Sequence, residues 1–118
     1  MAYVDGFVLV VPKKNINIYK KMAKLAGKVW MEHGALEYRE TVSDNLKTEG
    51  DVLPFPKMTK AKPSDYVCFS WVVYKSKAHR NAVVKKVMTD PRLHAYTEMP
   101  FDMKKMSYGG FKTIVDLS

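Results

Sequence analysis

Three ionisable residues stand among apolar neighbours, and each could carry chemistry. Arg80 shares i, i+3, i+4, i+7 spacing with Val83, Val84 and Val87, so a helix there turns the guanidinium toward its apolar side. A cation in a first helical turn opposes the helix dipole, so Arg80 needs an anionic partner. Asp5, Glu37 and Glu40 are the candidates on neighbouring strands. Two roles fit the residue: gripping an anionic group such as a carboxylate in a pocket, or bridging helix and sheet as an ion pair. Asp5 sits inside the apolar run YVDGFVLVV, where a carboxylate needs a partner, a raised pKa or a place at the strand end. His33 lies about 60° from the centre of a helical apolar stripe, at the C-terminal end of that helix. It could serve as a base or axial ligand in a pocket, or complement the helix C-terminus as a cation.

Aromatic residues form the next group. Tyr19, Trp30, Trp71, Tyr74 and Tyr108 could line a cavity that takes an aromatic ligand, although such residues at helix or strand spacing more often form core or interface. Other chemistries lack their residues. His79 and His94 are 15 residues apart and His33 lies 46 before His79, so no short metal-ligand spacing exists. His94 and Glu98 alone do not close a zinc site, and the lone Cys68 reads as a small core residue. Gly109-Gly110 falls within a strand, not between strand and helix, and there is no nucleotide fingerprint or nucleophile elbow. No metal and no cofactor is expected.

These residues must be positioned by 118 residues, enough for one domain spanning 1–118 with a substantial core. Hydrophobic residues make up 47% and charged residues 27%, a globular composition. Twenty Lys+Arg against twelve Asp+Glu give +8, which permits an acidic partner without requiring one. A single cysteine excludes an internal disulfide and fits a reducing compartment. No apolar run approaches the roughly 20 residues of a membrane span, and the start does not read as a secretory signal. The expectation is a soluble cytoplasmic protein with no membrane partner.

Residues 3–11 read as a strand closed by Pro12, apolar on both faces. Asn15 or Asn17 can cap a helix ending at Gly34, with Ile18, Met22, Leu25 and Val29 as its apolar stripe and Lys20, Lys24 and Lys28 opposite. Residues 35–42 suit a second strand with Leu36, Tyr38, Glu40 and Val42 on one face. Residues 43–64, with Pro54, Pro56, Pro63 and Gly50, are long for a structureless loop; they are expected to pack as an excursion, Val52–Met58 extending a sheet edge. Residues 66–74 are the strongest strand. Ser76 caps a helix to about Thr89, Asp90-Pro91 starts a short third helix, and Met106–Val115 form a last strand with a bulge at Gly109-Gly110.

The order is β-α-β-loop-β-α-β, the ferredoxin-like α+β pattern: a four-stranded antiparallel sheet with both helices on one face. Apolar residues on the far face of the first and third strands call for a second layer, most simply another copy, hence a homodimer. RNA-recognition domains share this pattern, but residues 65–71 (DYVCFSW) lack the basic residue and glycine of their third-strand motif. Dimerisation would also occupy the exposed face. Nucleic acid is therefore disfavoured, and the lysines read as solvated faces.

The segments YVDGFVLVVPKKN, HGA at 33–35, FSWVVYKSKAHRNAV at 69–83, MTDPR at 88–92 and MPFDMKKMSYGGF at 99–111 together resemble the YbaA-like family. These are small bacterial proteins grouped as a domain of unknown function, and the likeness covers nearly the whole chain. It implies the dimeric α+β barrel, in which two ferredoxin-like sheets face each other. That architecture also houses cofactor-free and haem-degrading monooxygenases, antibiotic-modifying enzymes and stress proteins. The expected function is a dimeric barrel binding a small anionic or aromatic ligand between sheet and helices, with Arg80, His33, Asp5, Glu40 and Tyr108 as candidate contacts. The alternatives are a monooxygenase-like enzyme acting on an aromatic substrate or haem, and a basic RNA-associated protein. Whether the protein is an enzyme is left open by the residues.

Overall fold

In the computed structural model, residues 1–96 and 98–117 are described. Strand β1 (Tyr3–Pro12) leads through a 3-10 turn (Lys13–Asn15) into helix α1 (Ile16–Glu32), followed by β2 (Glu37–Val42). A short helix α2 (Phe55–Thr59), β3 (Asp65–Tyr74), α3 (Lys77–Met88) and β4 (Ser107–Lys112) complete the main elements. The sheet order is β2-β3-β1-β4 and every pairing is antiparallel. This is the ferredoxin-like α+β fold.

Alternation on β1 and β3 assigns the two faces. Tyr3, Leu9, Val11, Cys68, Val72 and Tyr74 face the helices and are buried. Tyr3, Val72 and Tyr74 cluster with Val29 of α1 and Val83 and Val87 of α3, while Leu9, Val11 and Cys68 cluster with Tyr19 and Ala23 of α1. Arg80 therefore starts on the inward stripe of α3. The opposite face carries Val4, Val8, Phe69, Trp71 and Phe111, with Phe69 45% and Phe111 63% exposed.

Four details depart from the sequence-based expectations. Ile18 is 53% exposed; the stripe that α1 lays on the sheet includes Tyr19, Ala23, Gly27 and Val29. Small residues decide this, because Gly27 lets the helix approach so closely that a Cβ there would lie 2.7 Å from the Tyr38 ring. Residues 52–58 do not extend a sheet edge: Pro54 is the N-cap of α2 and Pro56 lies in its first turn, a position that needs no N–H. Phe55 and Leu46 then border a small hollow with Val67 and Phe69 at one end of the uncovered face.

The third departure is β4, which pairs with β1 without a bulge, Gly6 opposite Gly109 and Asp5 opposite Gly110. Gly110 is required for space: any Cβ would collide with the Tyr3 hydroxyl and with Nη2 of Arg80. Finally, the third helix after Asp90 is a 3-10 turn (Pro91–His94), with the Asp90 side chain accepting from the Arg92 N–H.

Candidate functional site

Two carboxylates occupy the helix-facing side of the sheet, and their surroundings differ. Asp5 on β1 accepts a hydrogen bond from the Tyr74 hydroxyl at 3.0 Å, and that hydroxyl accepts from Nε1 of Trp30 at 2.9 Å. Arg80 approaches from α3, its Nε 3.6 Å from Oδ1 of Asp5. Its Nη2 donates to the Tyr3 hydroxyl at 3.0 Å, and the guanidinium stacks on that ring. Burial and the negative charge of Asp5 hold the Tyr74 phenol well above its usual pKa, against the opposing hydrogen bond from Trp30. Arg80 and Asp5 thus form a bridge from α3 to the sheet.

Glu40 on β2 lies on the same face, opposite Ser70 of β3. Tyr19 of α1 donates to its Oε1 at 2.6 Å, and Tyr38, two residues away on the same strand face, donates to its Oε2 at 2.6 Å. Burial first, then the adjacent carboxylate, drives both phenols far above the ordinary tyrosine pKa. They stay protonated and donating throughout the physiological range. Burial beside the same carboxylate pushes the Cys68 thiol up to about 12, so it stays a neutral packing group. Among the described residues no cation of this chain pairs with Glu40.

A cleft of about 820 Å³ opens between α1 and β2, with Tyr19, Tyr38 and Glu40 among its lining. Its remaining walls include Ile16, Ala23, Met31, Val42 and Tyr66. Lys20, Lys24 and Lys28, spaced i, i+4, i+8, also line it. They lie one residue beyond Tyr19, Ala23 and Gly27, so the ridge next to the buried one edges the cleft instead of facing away from the sheet. Tyr19, Ala23, Tyr38 and Glu40 are shared with a smaller hollow of about 110 Å³, which Phe101 and Met106 also line. Phe101 meets Tyr19 edge-on at 5.9 Å, and Nδ2 of Asn15 donates to the Pro100 carbonyl.

The five sequence candidates separate. Asp5 and Arg80 meet each other, Glu40 lies in the cleft, and His33 and Tyr108 lie elsewhere. His33 sits at the C-cap of α1 with Nε2 2.9 Å from Oδ2 of Asp90. Arg92 holds both oxygens of Asp90 and also pairs with Glu32. The hydrogen bonds from Arg92 and His33 hold the Asp90 carboxyl well below the usual carboxylate range. This joins the end of α1 to the turn after α3. Tyr108 is 76% exposed on β4, 5.9 Å from Phe7.

The five aromatic residues do not line one cavity. Tyr19 borders the cleft, Trp30 and Tyr74 belong to the Asp5 cluster, and Trp71 lies on the uncovered face, its Nε1 donating to Glu37. Sequence reasoning did not single out Tyr38 or the cleft role of the three lysines. The i, i+2 placement of Tyr38 and Glu40 on one strand face was the available signal.

Among the described residues no cluster of three or more potential metal ligands occurs, and no helix is long and apolar enough to cross a membrane.

Comparison with known proteins places this geometry in a family. The chain is 43% identical over 117 residues to the uncharacterized protein YbaA of Escherichia coli, covering 98% of this chain and 99% of that one. YbaA of Shigella flexneri matches equally. Among solved structures, an uncharacterized NIPSNAP domain protein from Burkholderia xenovorans shares 12% identity at a TM-score of 0.57, covering 98% of each chain. A putative antibiotic biosynthesis monooxygenase from Nitrosomonas europaea shares 11% at 0.54, covering 96% of this chain and 90% of that one. A dimeric ferredoxin-like protein from an uncultured marine organism also shares 11% at 0.54, covering 99% of this chain and all of that one. At these identities the structural likeness is one of fold. Residues 2–103 match the profile of the protein family of unknown function DUF1428, and the chain belongs to that family.

Proposed function

We propose that the protein is a homodimeric small-ligand-binding protein that holds its ligand in the cleft between α1 and β2. The observation that carries this reading is Glu40: a half-buried carboxylate, fixed by two tyrosine donors, without a cation of its own chain among the described residues, and bordering 820 Å³ of mostly apolar space. Pockets that bind small molecules combine an apolar lining with a few fixed polar groups in this way.

The dimer rests on the other face of the sheet. Phe69, Trp71 and Phe111 surround a separate hollow of about 660 Å³ that Gly6 and Gly109 also line. A contiguous apolar face of this kind is costly in water and fits a second sheet. A solved neighbour described as a dimeric ferredoxin-like protein supports that arrangement by fold alone.

Native mass spectrometry of protein purified without denaturation tests both parts. The expected result is a species at twice 13.5 kDa carrying a small adduct or retaining an added small aromatic anion. A monomer overturns the dimer. A species that neither carries nor retains any small molecule overturns the ligand reading.

A further inference from the structure

The groups lining the cleft also define the polarity of what it accepts. Each phenol donates its single O–H to Glu40, so Tyr19 and Tyr38 have only acceptor lone pairs left. The carboxylate has four lone-pair positions and uses two for these bonds. The Glu40 carboxylate and its two phenols therefore offer acceptors only; the donors nearby are the Ser70 hydroxyl opposite Glu40 and, elsewhere on the cleft wall, Asn17 and Tyr66. Lys20, Lys24 and Lys28 on the α1 wall are the reverse: ammonium groups with only donors, all exposed, at the mouth of the same cleft. Ile16, Ala23, Met31 and Val42 supply apolar walls to the cleft. A simple apolar molecule would leave the acceptors unpaired, which is costly inside a protein. A simple anion would gain nothing from these acceptors.

We infer that the cleft selects an amphiphilic hydroxy acid: an apolar, ring-sized body with a neutral hydroxyl at its inner end, donating to the Glu40 cluster, and an anionic group at its outer end, facing Lys20, Lys24 and Lys28. The inner group is a neutral hydroxyl, because two phenol donors already stabilise the Glu40 carboxylate and an added ammonium would share the cleft with Lys20, Lys24 and Lys28. This inference rests on the cleft being the ligand site and adds the class and orientation of the ligand.

Three probes isolate the two ends: 4-hydroxycinnamate, cinnamate without the hydroxyl, and methyl 4-hydroxycinnamate without the anion. Affinities are read from backbone amide shifts of residues 16–32 and 37–42, which also locate the probe. The expected result is tightest binding by 4-hydroxycinnamate. Cinnamate should bind about tenfold more weakly, and the ester about fivefold more weakly at low salt, converging with the acid as salt is added. In Lys20→Gln/Lys24→Gln/Lys28→Gln, whose changes are on exposed side chains, the acid and the ester should bind equally while the preference for the hydroxyl persists. In Glu40→Gln the preference for the hydroxyl should fall while the preference for the acid persists. Equal binding of all three probes with shifts in the cleft would overturn the polarity and leave the cleft as the site. Saturable shifts confined to other residues, or none with any probe at millimolar concentration, would overturn the cleft reading as well.

Discussion

Asp5 and Glu40 are carboxylates on one face of one sheet, each hydrogen-bonded by tyrosine, yet their surroundings give them different work. Asp5 meets a guanidinium of its own chain, and Gly110 leaves the space in which Arg80 and Tyr3 come together. Its partners are supplied by the fold, so the cluster joins α3 to the sheet. Glu40 receives two phenol donors and borders a cleft. The difference lies in the covering helix. Above Asp5, α3 presents Arg80 from its first turn; beside Glu40, α1 presents small residues at Ala23 and Gly27 and turns its lysines to the cleft mouth. Two carboxylates on one sheet face therefore need not share a role: Asp5 is buried against a cation of its own chain, whereas Glu40 is half-buried and borders a cleft.

The largest effect should come from breaking the Asp5–Arg80 cluster. Arg80→Met leaves Asp5 without its cation and is expected to cost about 3 kcal/mol in urea unfolding, while the relative affinities of the three cinnamate probes stay unchanged. Gly110→Ala attacks the same cluster by overpacking, with an expected cost of about 2 kcal/mol in the same assay.

Glu40→Gln should be milder in stability, about 1 kcal/mol, because the amide oxygen can still accept from one phenol while the other must reorient. Its larger signature is the lost preference for the hydroxyl. A measured cost above that of Arg80→Met would reverse the comparison.

Alkali should act on both clusters together. The raised pKa values of Tyr19, Tyr38 and Tyr74 mean that the folded state favours the protonated phenols. Their contribution is complete below the unfolded tyrosine pKa near 10 and is lost as pH rises beyond it. Phenolate absorbance near 295 nm for these residues should therefore appear only with unfolding. Ionisation in the native protein would contradict their burial. Asp90 has the opposite sign: its pKa is depressed in the fold, so its contribution is present above a carboxylate pKa near 3.9 and fades as the medium becomes more acidic. Asp90→Asn should flatten that acid limb and leave probe binding at the cleft unchanged. The smallest effect is expected at Cys68, whose buried thiol is pushed up to about 12 by desolvation and the Glu40 charge: alkylation by iodoacetamide at neutral pH should be negligible until the protein unfolds.

Element order was legible because β-branched and aromatic runs at residues 3–11 and 66–74 alternate with helical stripes and end at Pro12, Gly34 and Asp90-Pro91. The inward turn of Arg80 was legible for the same reason, since Val83 and Val87 mark its face. The face of α1 was harder to read. A hydrophobicity pattern favours Ile18, whereas close packing favours Ala23 and Gly27, and close approach depends on side-chain volume rather than apolarity. Gly109-Gly110 resembled a bulge because the demand for space at Gly110 comes from Tyr3 and Arg80, 107 and 30 residues away in sequence. The Glu40 cluster was half visible. Tyr38 and Glu40 share a strand face, but the third member, Tyr19, arrives from another element, and only tertiary packing brings it within hydrogen-bond distance.

The most direct test of the contrast between the two carboxylates is a crystal structure of the protein with 4-hydroxycinnamate. The ring is expected between α1 and β2, the hydroxyl within hydrogen-bond distance of the Glu40 cluster and the carboxylate toward Lys20, Lys24 and Lys28, with the Asp5–Arg80 pair undisturbed. A carboxylate seated on Arg80, or a ring lodged on the uncovered face between Phe69 and Phe111, would contradict this placement.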